Sequence, residues 1–156
     1  MQSERSACFV CRKHRAEIQL PGGSIFEDEL IFCGHAWSQE NDEGIYQGAC
    51  IVEPKRHVTS WADLSDAEAA CLGLAVRDIG RALTALEGAE HVYVFVLGHH
   101  VPHLHVWVIP RYPATPREYW GLQLFEWPQR PKGSAVAVAE LCDRLRRELS
   151  RSRSGS

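Results

Sequence analysis

The chain has 156 residues, 45% of them hydrophobic and 24% charged, which fits one globular domain with a real core and leaves a second full domain out of reach. Its formal net charge of -3 argues against a non-specific nucleic-acid binder, since such proteins neutralise phosphates with a clear basic excess. No stretch approaches the roughly 18 apolar residues of a membrane span, and the opening MQSERSACFV lacks the basic-then-apolar order of a secretion signal, so a cytoplasmic location is expected.

In chain order, residues 5–15 read as a short knuckle around Cys8 and Cys11. C-x-x-C spacing in a cytosolic chain points to metal or redox chemistry. The bland alternative is a bare thiol pair; a thioredoxin-like site would need a βαβ pattern that the surroundings lack. AEIQL (16–20), a Pro-Gly-Gly turn at 21–23 and ELIFCGHA (29–36) predict two short strands joined by a turn. SQENDEG (38–44) has no apolar periodicity and reads as a solvated loop, and GACIVEP (48–54) as a strand. Ser65 and Glu68 form a capping-box pattern, after which Ala69, Leu72, Val76, Ile79, Leu83 and Leu86 recur at helical spacing until Gly88. HVYVFVLG (91–98), apolar on both faces, predicts a central strand, with HLHVWVIP pairing beside it.

Beyond Pro110, four prolines alternate with Tyr119, Trp120, Phe125 and Trp127, a segment aromatic enough to pack over something. Residues 134–149 read as a closing helix and 150–156 as a disordered tail. The remaining cysteines, Cys33, Cys50, Cys71 and Cys142, read as buried thiols, whereas His14, His35 and His91 read as surface or turn residues. This pattern predicts an α+β domain over 1–149 with a mainly antiparallel sheet.

VPHLHVWVIPR (101–111) carries the chemistry. On a strand, His103, His105, Trp107 and Ile109 share one face while Leu104, Val106 and Val108 share the other. Two imidazoles about 7 Å apart at Cα can divide labour, one serving a metal while its neighbour meets substrate. Neutral imidazole attacks phosphorus at pH 7 without a separate base, provided its other nitrogen is held by a hydrogen-bond acceptor. Each histidine could equally be a half-buried structural side chain. His99 and His100, at the connection into this segment, are candidates for a polar contact near a pocket.

With IVEPKRHV (51–58) upstream, this segment resembles the histidine triad (HIT) superfamily, with His103 at the first histidine, His105 at the central nucleophile and Trp107 in place of the third. The likeness runs from about Cys8 to Arg111, with 112–149 left as an unmapped extension. It implies a HIT-like α+β fold with a five-stranded antiparallel sheet and two main helices, a homodimer, and nucleotide hydrolase or nucleotidyltransferase activity at an α-phosphate through a covalent nucleotidyl-His105. The branch with an N-terminal C-x-x-C implies structural zinc on Cys8, Cys11, His57 and His103. The family's third histidine and its Gly-Gln-Ser/Thr phosphate segment are both absent. Trp107 then either packs under the C-terminal aromatics or shapes the pocket for a different leaving group, with His99 or His100 lending the polar contact. Two alternatives remain: a catalytically weakened nucleotide-binding or interaction protein, and a phosphoesterase or transferase on a non-nucleotide metabolite.

Overall fold

In a computed structural model, which describes residues 7–37, 44–98 and 100–154, the chain opens on helix α1 (Phe9–His14). Strands β1 (Ser24–Glu27), β2 (Ile31–His35), β3 (Ile45–Tyr46) and β4 (Cys50–Pro54) follow. Helix α2 (Asp66–Glu87), strands β5 (His91–Phe95) and β6 (Val106–Arg111), the short β7 (Lys132–Gly133) and helix α3 (Ala135–Ser154) complete the order. The main sheet runs β1-β2-β4-β6-β5, every neighbouring pair antiparallel, while β3 and β7 form a two-stranded annex.

The α+β architecture with a five-stranded antiparallel sheet and two main helices is therefore as expected. Helices α2 and α3 cover one face, where Leu72, Ile79 and Leu83 of α2 and Leu141 and Leu145 of α3 pack on Val52, Val106 and Val108. Alternation along β6 sends Ile109 and Trp107 to the opposite face, against Tyr46, Leu124 and Phe125. The aromatic C-terminal segment thus roofs the second face. Gly48 lets the turn before β4 approach the end of β6: it sits at φ +88°, and a Cβ there would come within 2.7 Å of both Pro110 and the Tyr112 hydroxyl.

Helix α2 forms where the capping box places it. Ser65 Oγ accepts from the Glu68 N–H, the Glu68 carboxylate accepts from the Ser65 N–H, and Gly88 at φ 66° ends the helix in the left-handed region.

Four expectations need correcting. Residues 16–20 are not a strand; the hairpin sits one segment later, because Gly22 and Gly23 (φ 77° and 64°) turn the chain before β1 and Asp28 Oδ1 accepts from the Leu30 and Ile31 N–H groups to build the next turn. Strand β5 is an edge strand, and its apolar Val94 is 50% exposed. His103 and His105 lie just before β6, since the antiparallel register would pair Leu104 with Pro54, which has no N–H to give; Leu104 donates instead to the Val58 carbonyl (2.6 Å). Finally, α3 continues through Ser154, past the boundary expected at 149, with Ser150 Oγ donating to the Arg146 carbonyl. Arginine and serine cost a helix little. The loop expected at 38–44 lies, apart from Gly44, outside the described residues.

Candidate active site and metal centre

Helix α1 is only six residues long, yet it fixes two thiols: Cys8 caps it and Cys11 points from its first turn. Both are buried, beside His103 and His57, and one ligand atom from each of the four lies within 4.8 Å of all the others. His103 Nδ1 stands 3.6 Å from Cys8 Sγ and 3.5 Å from Cys11 Sγ, and His57 Nδ1 stands 3.4 Å from Cys11 Sγ. A tetrahedral ion bonded to sulfur at about 2.3 Å and to nitrogen at about 2.0 Å holds those atoms about 3.5 Å apart. The donor set and its spacing therefore fit one tetrahedral ion.

The protonation pattern fits as well. His103 Nε2–H donates to the Pro54 carbonyl (2.8 Å), which leaves the Nδ1 lone pair facing the thiols. Burial, against the opposing pull of that carbonyl, lowers the His103 pKa to about 4, so the ring is neutral at pH 7 as a ligand must be.

Two residues further on, His105 is half-buried, and its Nδ1–H donates to the His103 carbonyl at 2.7 Å. That carbonyl is the acceptor the chemistry requires: Nδ1 carries the proton and Nε2 keeps its lone pair. His105 and Trp107 line one cleft with Phe9, Val10, Trp37 and Ile51. The two rings meet edge to face at 6.3 Å, and Trp107 turns another edge to Phe125 at 5.9 Å. Trp107 is thus both cleft wall and packing partner of the C-terminal roof.

The cleft lining also includes Lys13 and Glu53, which the sequence reading passed over. Lys13 Nζ donates to Glu53 Oε1 (2.7 Å) and His14 Nε2–H to Glu53 Oε2 (3.0 Å), all three side chains buried. Burial pushes the Glu53 carboxyl up, but Lys13 and His14 outweigh it and hold it below the usual carboxylate range. His35, expected at the surface, is buried: Nδ1–H donates to the Ala36 carbonyl (2.6 Å), Nε2 accepts from the Gly48 N–H (2.9 Å), and burial lowers its pKa to about 4. His14 is likewise no surface residue, whereas His91 is exposed. An acidic residue inside the apolar run IVEP was the available signal, because a buried carboxylate demands a partner.

Cys33, Cys50 and Cys142 are buried free thiols as expected, and Cys71 is half-buried. The structure does not bring His100 to the cleft wall: it is exposed and not among the described lining residues. His99 lies outside the described residues.

The family model of the HIT domain matches residues 24–114, leaving the knuckle and the C-terminal roof outside the match. Among solved structures, a zinc-bound histidine triad family protein from Mycobacterium smegmatis is 18% identical, with 97% of this chain and 99% of that one covered at a TM-score of 0.72. A hypothetical histidine triad nucleotide-binding protein from Sulfolobus tokodaii is 18% identical, with 94% of each chain covered and a TM-score of 0.71. A HIT-like protein involved in cell-cycle regulation from Bartonella henselae is 17% identical, with 92% and 97% covered and a TM-score of 0.68. No curated protein matches the chain. The matched segment holds His57, His103, His105 and Trp107 and covers more than half of the sequence, and the chain belongs to the HIT family.

Proposed function

We propose that the protein is a nucleotide hydrolase or nucleotidyltransferase acting at an α-phosphate, with His105 as nucleophile. The observation that carries this reading is the Nδ1–H bond of His105 to the His103 carbonyl, which leaves Nε2 with a free lone pair in an apolar cleft. Nε2 attacks the α-phosphorus, an N–P bond forms, and the bond to the departing group breaks with its electron pair. Proton transfer from Nδ1 towards the carbonyl is not needed, because the carbonyl stabilises the positive charge that develops on the ring. Water or a second acceptor then attacks phosphorus from the vacated side and gives its proton to solvent, which makes good the proton the departing group takes from solvent, and His105 leaves as neutral imidazole.

Cys8, Cys11, His57 and His103 hold zinc in this reading, supported by the fit of their spacing and by the zinc-bound relative from Mycobacterium smegmatis. A four-ligand site of this kind is closed, so the metal's contribution is structural: it ties α1 to the segment that aims His105. The nucleotide as substrate class rests on family membership and on the nucleotide-binding relative from Sulfolobus tokodaii. A cytoplasmic location fits the six free cysteines. A homodimer fits the β5 edge, unpaired among the described residues, where Val94 and, just beyond the strand, Val96 and Leu97 are exposed.

Steady-state turnover of a nucleoside phosphoramidate and a dinucleoside polyphosphate tests the activity, with the His105→Ala variant as control. Wild-type turnover that falls at least about 1,000-fold in the variant is expected for loss of a nucleophile. A second reading, a nucleotide-binding protein without turnover, is favoured by one observation: Trp107 occupies the third position and is anchored on Phe125. Nucleotide binding with no turnover in the wild type would select it.

A further inference from the structure

A phosphoryl group in the cleft needs hydrogen-bond donors for its non-bridging oxygens, and the cleft wall is mostly apolar. Its polar side chains can be taken one at a time. His35 has both ring nitrogens engaged, Glu53 is an anion, and His105 has one nitrogen engaged and the other reserved for attack. The Trp37 and Trp107 indoles offer one neutral donor each. Lys13 is the cation that remains among the described lining residues.

Its ammonium has three N–H donors, and among the described residues one is spent, on Glu53 Oε1. Glu53 is itself shared, because His14 donates to its other oxygen, so the carboxylate is not devoted to Lys13 alone. The lysine head also lies 5.4 Å from the ring centre of Phe32 and 6.0 Å from that of Phe9, contacts weaker than a charge-assisted hydrogen bond that help to orient it. A lysine only 7% exposed is uncommon, and here its partner Glu53 belongs to the same cleft lining as His105. The position is set by α1: Lys13 lies two residues after Cys11, so whatever holds the thiols also holds the lysine in place.

We propose that Lys13 is a substrate-binding residue that contacts the α-phosphate, donating to a non-bridging oxygen while Glu53 and His14 keep the ammonium oriented. The proposal rests on the nucleotide reading above and assigns the knuckle a role in the cleft beyond carrying the metal site.

Calorimetric titration tests it, using the full chain with its metal complement and comparing the four ribonucleoside 5′-monophosphates with the matching nucleosides. The readout is the phosphate increment, the ratio of monophosphate to nucleoside affinity for the base that binds. Lys13→Met is expected to cut that increment about 10- to 100-fold, the worth of a charge-assisted hydrogen bond, while nucleoside affinity stays within about twofold. Lys13→Arg is expected to restore most of it. Because Lys13→Met strands a buried carboxylate, the Lys13→Met/Glu53→Gln double variant is measured in parallel, with metal content and melting temperature confirming the fold. An increment that survives in folded Lys13→Met or in the double variant overturns the proposal, as does an equal loss for nucleoside and monophosphate, which would make Lys13 a packing residue. A wild type that binds neither class of ligand overturns the nucleotide reading itself, and the proposal with it.

Discussion

His103 and His105 are two residues apart and identical in chemistry, yet their surroundings assign them different work. His103 is buried with Nε2–H on the Pro54 carbonyl and turns Nδ1 to the thiols; His105 is half-buried with Nδ1–H on the His103 carbonyl and turns Nε2 to the cleft. Two backbone carbonyls, Pro54 at the end of β4 and His103 just before β6, therefore set the two tautomers. Cys8→Ser removes a ligand from the cluster and is expected to lower zinc from close to one per chain to less than about a tenth, with a loss of several kcal/mol in stability. Elemental analysis and thermal melting check this; a stable wild type without metal would contradict it.

Trp107→His places a polar ring beside His105 but gives up the contact with Phe125. Hydrolysis of a nucleoside phosphoramidate is expected to rise while stability falls by about 1–3 kcal/mol, since the ring is half-buried. Unchanged hydrolysis would mean that the tryptophan has a role of its own in the cleft.

Among the elements, α2 was fully legible in the sequence because its signals are local: the capping box, the helical spacing and the Gly88 stop all lie within its own length. Local signals also drew a titratable anchor. Glu68 is held down to about 2, chiefly by the Arg56 guanidinium, against the upward push of burial and with further help from Ser65. A carboxylate whose folded pKa is depressed stabilises the fold above its ordinary value near 4.5 and loses that contribution as pH falls from there towards 2. Glu68→Gln is expected to cost about 1–2 kcal/mol at pH 7, modest because Arg56 is solvent-screened, and to flatten the acid limb of a stability-pH curve. Denaturant titrations at pH 7 and pH 3 measure both.

The elements that the sequence placed wrongly fail for a physical reason of the opposite kind. The burial of His14, His35 and Glu53 depends on partners elsewhere in the chain, Glu53 taking Lys13 and His14 across a sequence separation of 40 and 39. No window around any of them reveals that. Strand β5 is apolar on both faces, which reads as burial in the sheet centre, yet its place is decided by strand order, which periodicity does not encode.

At the scale of the whole molecule, three layers meet at His105: the α1 knuckle on one side, the sheet below, and the aromatic segment above the far face. The HIT-domain match covers the sheet, α2 and the histidine segment, while the knuckle and the roof contribute Lys13 and Phe125 from outside it. The β5 edge adds a further consequence. Val94 on the helix side adjoins the shallow groove formed by Val92 with Gly80, Thr84 and Ala85 of α2, and a second copy adding its own β5 would cover both. Val94→Lys is expected to convert a dimer to a monomer in sedimentation velocity; a wild type that sediments as a monomer at every concentration would contradict the dimer.

The central claim is that His105 Nε2 becomes covalently bonded to phosphorus. The most direct measurement is intact mass after rapid mixing of the full chain with a nucleoside phosphoramidate, quenched in alkali to preserve the N–P bond, for wild type and His105→Ala. The expected result is an added mass of one nucleotidyl group, a nucleoside monophosphate less one water, on the wild type, mapped to His105 and absent from the variant. Turnover without any adduct, or an adduct that persists in His105→Ala, would contradict it.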